Sequence, residues 1–243
     1  MYEKHLIKPT TYIWTATAHR VTLDLTLSPH WEISALFPIS PINTIASDQG
    51  VCQNMAWKVF ARASGLMLDE ETGLQLSSLS WETRVRAAPV TSDLVPIANE
   101  FNPSNATLRD SDSVLLRVTD IISYLNSCLR ALGLQAEART LFIQYFLPAF
   151  VRNEYVALRF IPQEEYGRAA KLQINPAPDI IVRMFMIFRG VSSDELDTWK
   201  MARAQAEEPV SRWREVIGLP KDDQLKQTDR FRVLEWGGME VLV

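Results

Sequence analysis

Apolar and polar residues alternate at period two from Val21 to Leu27, and again from Trp31 to Phe37 after a Ser28-Pro29 turn. Successive strand side chains point to opposite faces, so each segment predicts a strand with one buried face. Their short link suits them to pair as a hairpin. Pro38 and Pro41 end the pattern. Residues 57–61 predict a third strand, followed by a turn near Ser64-Gly65, and residues 74–82, after Gly73, a fourth. Between 87 and 112 the character changes, with Pro89, Pro96 and Pro103 set among Ser, Asn and Asp as in a surface loop.

Residues 113–118 predict a short strand. Helical spacing then takes over, with Ile121, Ile122, Leu125, Leu129 and Leu132 recurring at three and four, Thr119 placed as an N-cap and Gly133 at the carboxyl end. A second helix follows over 136–151, with Leu141, Phe142 and Tyr145 on its apolar face and Pro148 kinking or ending it. The short link between the two predicts an antiparallel helix pair. Residues 155–161 and 180–188 have the β-branched and aromatic content of buried strands, with a short helix over 164–170 between them. Ser192-Ser193-Asp194-Glu195 reads as a capped helix start carrying Leu196 and Trp199, and residues 205–228 as polar and exposed. Residues 231–235 and 239–243 predict two closing strands around a Gly237-Gly238 hairpin turn. Together these elements predict an α+β fold. An antiparallel sheet carries a helical hairpin, and a C-terminal strand returns to it. The chain reads as a single domain, 1–243, which the loop subdivides into a β-rich region 1–95 and an α+β region 113–243.

Composition narrows the function classes. The 243 residues are 47% hydrophobic and 22% charged, ordinary for a globular chain. A net charge of −4 argues against a phosphate-backbone binder, for which a basic face is expected. The first residues, with Glu3, Lys4, His5 and Lys8, lack a signal-like apolar run, and Arg183 interrupts the most apolar stretch. Cys52 and Cys128 read as buried free thiols. The resulting expectation is a soluble, cytoplasmic protein with neither a membrane nor a nucleic-acid partner.

Four phrases carry a resemblance. They are Leu79-Ser80-Trp81-Glu82, Tyr145-Phe146-Leu147-Pro148, Pro178-Asp179 leading into Arg183-Met184-Phe185-Met186, and Val233-Leu234-Glu235-Trp236-Gly237-Gly238. In this order they resemble an uncharacterised family of mostly bacterial secreted or lipid-anchored proteins with intracellular fungal relatives. Its phrases run "LFWE", "YWLP", "PDxxxRVFM" and a terminal "EWGG". Ser80 stands where that pattern has an aromatic, and the bacterial signal peptide is missing. The resemblance implies one folded unit and brings no catalytic residues.

The candidate chemistry centres on two carboxylates. Glu82 follows Trp81 and Glu235 precedes Trp236, so each acid sits beside a large aromatic on a predicted strand. Paired carboxylates divide acid and base roles in glycosidases, and sugars stack on indoles. Neighbours on a strand face opposite ways, however, so a core Trp81 or Trp236 turns its acid to solvent. Arg183, alone in an apolar strand, needs an anionic partner. Asp179, about 13 Å away by strand rise, is too far, whereas Glu82 or Glu235 can reach it through the fold. Tyr145 and most of the seven tryptophans read as core, with Trp81, Trp236, Tyr145 and Arg183 as the ligand-binding candidates. His5, His19 and His30 read as surface residues. Spaced metal-ligand sets, phosphate loops and nucleophile elbows are all missing from the sequence, so no metal or cofactor is implied. Two readings remain. One is a noncatalytic binding or interaction protein for a small molecule, peptide or glycan. The other is a small hydrolase or cyclase that uses Glu82 and Glu235 in an aromatic pocket.

Overall fold

The computed structural model describes residues 7–47, 50–86, 99–219 and 229–242. The first strands are β1 (Thr10–Trp14), β2 (His19–Leu27), β3 (Trp31–Phe37), β4 (Asn43–Ser47), β5 (Gly50–Ala61), β6 (Met67–Asp69), β7 (Gln75–Leu76) and β8 (Leu79–Val85). After a loop come β9 (Val114–Arg117), the helices α1 (Val118–Ala131) and α2 (Ala136–Phe150), β10 (Tyr155–Ile161) and α3 (Gln163–Ala169). The chain continues through β11 (Ala170–Asn175), β12 (Ile180–Val191), α4 (Lys200–Gln205), α5 (Arg212–Ile217) and β13 (Arg232–Glu240).

The fold is α+β, built on two sheets. One has seven strands in the order β3-β8-β1-β13-β12-β10-β9, all antiparallel except the β12–β13 pair. The second runs β11-β2-β5-β6-β7, with β4 added to β5. Strands from 1–95 and from 113–243 share both sheets. A parallel pair requires a crossover, and α4 and α5 supply it between β12 and β13.

The large sheet is covered on both faces. One apolar cluster fills the space between the sheets, with Leu23, Leu25, Trp31, Trp57, Trp81 and Phe185 among its members. Another lies under α1, α2 and α5 and includes Leu125, Phe142, Phe146, Phe160, Trp213 and Trp236. Six tryptophans are buried and Trp14 is half-buried, in line with the expected aromatic core.

Several expectations are corrected. β2 and β3 do not pair as a hairpin: β2 lies between β5 and β11 in the second sheet, while β3 pairs with β8 in the first. The segment 74–82 is two strands, β7 and β8, in different sheets. The α2 core face is Ala138, Phe142, Phe146 and Phe150; Leu141 is exposed and Tyr145 half-buried. The helix also carries Pro148 inside its span. Arg117, not Thr119, occupies the N-cap of α1, and Ile122 is exposed. The capping box of Ser192 and Glu195 does form, on a 3-10 turn. Residues 205–228 are not uniformly exposed, because α5 buries Trp213 and Ile217. Cys128 is buried with its thiol pushed up to about 12, chiefly by burial, but Cys52 is only half-buried. His19 and His30 are half-buried, and His5, Pro89, Pro96, Val243 and residues 220–228 lie outside the described residues.

Gly237-Gly238 is no turn. Both glycines lie inside β13, which runs unbroken from Arg232 to Glu240 beside β12. A Cβ on Gly238 would stand 2.6 Å from the Met186 carbonyl oxygen and 2.9 Å from Cζ of Phe146. The glycine therefore serves a close approach of α2 and β12 to β13. Gly238→Ala is expected to cost about 1–3 kcal/mol, because the carbonyl cannot rotate away. Chemical unfolding measures this, and an unchanged midpoint would contradict the crowding.

Candidate functional site

The alternation along β13 sorts the candidates. Val233, Glu235 and Met239 point between the sheets, while Leu234 and Trp236 point under the helices. The rule that neighbours face opposite ways holds, but its expected consequence fails for Glu235. Trp236 is core and Glu235 is fully buried, because a strand covered on both faces has no solvent side.

Between the sheets, Glu235 is the acceptor for a converging set of donors. In the parallel register Arg183 stands directly across from it. Nε and Nη2 of Arg183 donate to Oε1 of Glu235 at 3.1 and 2.8 Å, and the Tyr166 hydroxyl donates to the same oxygen at 2.8 Å. Oε2 accepts from Thr11 Oγ1 at 3.1 Å and from Trp81 Nε1 at 3.4 Å. Arg183 also donates through Nη1 to the Ala170 carbonyl at 2.5 Å, and its backbone N–H donates to Gln163 Oε1 at 2.6 Å. Its guanidinium stacks 4.6 Å from the Tyr166 ring centroid.

Burial is the largest effect on Arg183 and pulls its pKa down. The Glu235 charge, then Tyr166 and the hydrogen bonds, outweigh it, and the pKa ends above its ordinary value. The Tyr166 phenol is held well above its usual range, first by burial and then by the Glu235 charge. The cluster is thus a neutral buried pair with its lone pairs filled, the condition under which a buried ion pair is tolerated.

Glu82, Tyr145 and Trp236 gather on the opposite face of the large sheet. Glu82 pairs with Lys8 at 3.2 Å, both partly exposed. Tyr145 packs against Trp236, with ring centroids 6.4 Å apart. Its phenol is pushed up to about 12 by burial and then by the Glu82 charge. The Tyr12 hydroxyl and the Trp236 indole N–H are buried there without a hydrogen bond of good geometry, though the N–H still draws the phenol down while burial raises it. The two acids therefore sit on opposite faces of one sheet and cannot share a reacting centre. Asp179 holds the Phe231 N–H at 2.9 Å and pairs with Arg230 at 3.6 Å.

Sequence reasoning missed Thr11, Gln163 and Tyr166. Thr11 had a readable signal, since Thr10-Thr11-Tyr12-Ile13-Trp14 is a run of strand formers, now β1. Tyr166 had none beyond its place on a short helix. An open depression of about 380 Å³ beside α3 is lined by Gln163, Glu164, Gly167 and Lys171; it touches Arg183 but is not lined by Glu235. Among the described residues, His, Cys, Asp and Glu form no group of three able to hold a metal. None of the described helices is long and apolar enough to cross a membrane. No family model matches the chain, and no curated protein or solved structure shows significant similarity to it.

Proposed function

We propose that the chain is a noncatalytic binding or interaction protein of the cytoplasm. The observation that carries this reading is the closure of the Glu235–Arg183 cluster. Glu235 has no exposed surface and five donor groups from Arg183, Tyr166, Thr11 and Trp81 fill its two oxygens, so no substrate meets the carboxylate. The two free thiols suit a reducing compartment. The partner we favour is an extended segment of protein or peptide. The exposed large apolar side chains Phe37, Ile39, Ile42 and Ile45 concentrate along the segment that leaves β3, crosses to the second sheet and forms β4, and the exposed Val51 stands opposite Ala46 on β5.

The second reading, a small hydrolase or cyclase, now rests on Glu82 alone. It is the one candidate acid within reach of solvent, and Tyr145 and Trp236 stand near it. A random-peptide display selection on the folded chain, run beside a panel of chromogenic esters and glycosides, separates the two. The expected result is peptides whose binding is lost in Ile45→Lys, with no turnover. Turnover abolished by Glu82→Gln at unchanged unfolding would establish the enzyme and overturn the proposal.

A further inference from the structure

We infer that β4 is a self-association edge, and that a second copy of this chain adds its own β4 antiparallel to it about a twofold axis at Ile45. The inference rests on the interaction reading and goes beyond it by naming the partner. An unpaired edge strand offers a row of backbone donors and acceptors to any passing strand, and proteins normally guard it. The other edges here are guarded. β3 carries Glu32 and a register break between Ile33 and Ala35. β11 carries the exposed Lys171, and β7 is only two residues long. β9 ends in Arg117 and is flanked by α4, whose Ala202 N–H donates to Asp110 beside that strand.

Among the described residues β4 has none of these devices. It pairs with β5 on one side, and its five residues, Asn-Thr-Ile-Ala-Ser, are uncharged and all exposed. From Phe37 to Trp57 the sequence carries a single charge, Asp48. In the adjoining depression of about 520 Å³, Lys58 accompanies Glu70 and Glu71, and Glu70 is held by Arg20 at 2.6 Å, so these charges sum to zero.

Charge complementarity selects the occupant. In an isologous contact the residues at the axis meet their own copies, so a charged edge repels itself and an uncharged one does not. Centred on Ile45, the pairing sets Ile45 against Ile45 and the small Thr44 against Ala46. It also closes the edge, where a heterologous contact would leave it open to growth.

Sedimentation equilibrium of the full chain from about 10 μM to about 1 mM tests this. The expected mass rises from one chain towards two, and Ile45→Lys weakens association at least tenfold. Ile122→Lys, at an equally exposed isoleucine on α1, leaves it unchanged. Because Cys52 faces Ile45 across the β4–β5 ladder, a second arm uses Ile45→Cys in a Cys52→Ser background. Opposed Cα atoms of an antiparallel pair lie within disulfide reach, so oxidation is expected to give a covalent dimer. A chain that stays single at about 1 mM, or a dimer indifferent to Ile45→Lys, overturns the inference. If a single chain still selects peptides through Ile45, the interaction reading survives and only the second copy is lost.

Discussion

Replacing Glu235 by alanine is expected to cost about 3–5 kcal/mol of folding stability, among the largest losses any single substitution here produces. Among the described residues the carboxylate is the sole anion in contact with Arg183, whose side chain is only 4% exposed. Removing it leaves a guanidinium in the space between two sheets, where an unpaired charge is least tolerated. It also strands the Tyr166 hydroxyl, the Thr11 hydroxyl and the Trp81 indole N–H, all of which point at the lost oxygens. The paired change Arg183→Met with Glu235→Leu removes both charges and is expected to recover part of the loss. Recovery stays incomplete because three neutral donors still lack an acceptor, each worth about 1–3 kcal/mol when buried and unsatisfied. Urea unfolding of the three proteins gives the order wild type, double variant, Glu235→Ala. Glu235→Ala unfolding at nearly the wild-type midpoint would show that the acid is held for chemistry instead of structure.

The period-two segments 21–27 and 31–37 are both strands, but only 21–27 keeps its apolar face buried throughout; in 31–37 Trp31 and Ile33 are buried, and past the register break Ala35 and Phe37 are exposed. Their partners were not legible. Proximity in sequence favours a hairpin, yet the Ser28 N–H donates to the Ala169 carbonyl, and the chain passes to the other sheet before Trp31. The C-terminal strand illustrates a second limit. Alternation beside a core Trp236 points Glu235 to solvent, and only the cover on both faces of β13, which no local pattern announces, makes it interior; the crowded glycines also imitate a turn. For the candidate site, the need of Arg183 for an anion was readable, as was the exclusion of Asp179. Which acid answers it depends on a strand register between residues 52 positions apart. Thr11 and Tyr166 arrive from β1 and α3, and no local pattern ties them to either charge.

Trp81→Ala is expected to cost about 3–5 kcal/mol, the range for emptying a fully buried indole site. The ring is 1% exposed and meets Trp31 edge-on, with centroids 6.0 Å apart. Trp31 in turn packs against Phe101 and Phe185, so these rings cannot collapse into the void without giving up contacts with one another. Two contributions are separable. Trp81→Phe keeps most of the ring volume but removes the N–H, which is 3.4 Å from Glu235 Oε2 and therefore a weak bond. It should cost no more than about 1–2 kcal/mol, leaving packing as the larger share. Trp14→Ala, at a half-buried ring on β1, provides the comparison and should fall well below Trp81→Ala. The midpoints of chemical unfolding decide the matter. A near-neutral Trp81→Ala would mean that the indole leaves the inter-sheet core and faces a ligand, which would return the Glu235 cluster to the catalytic candidates.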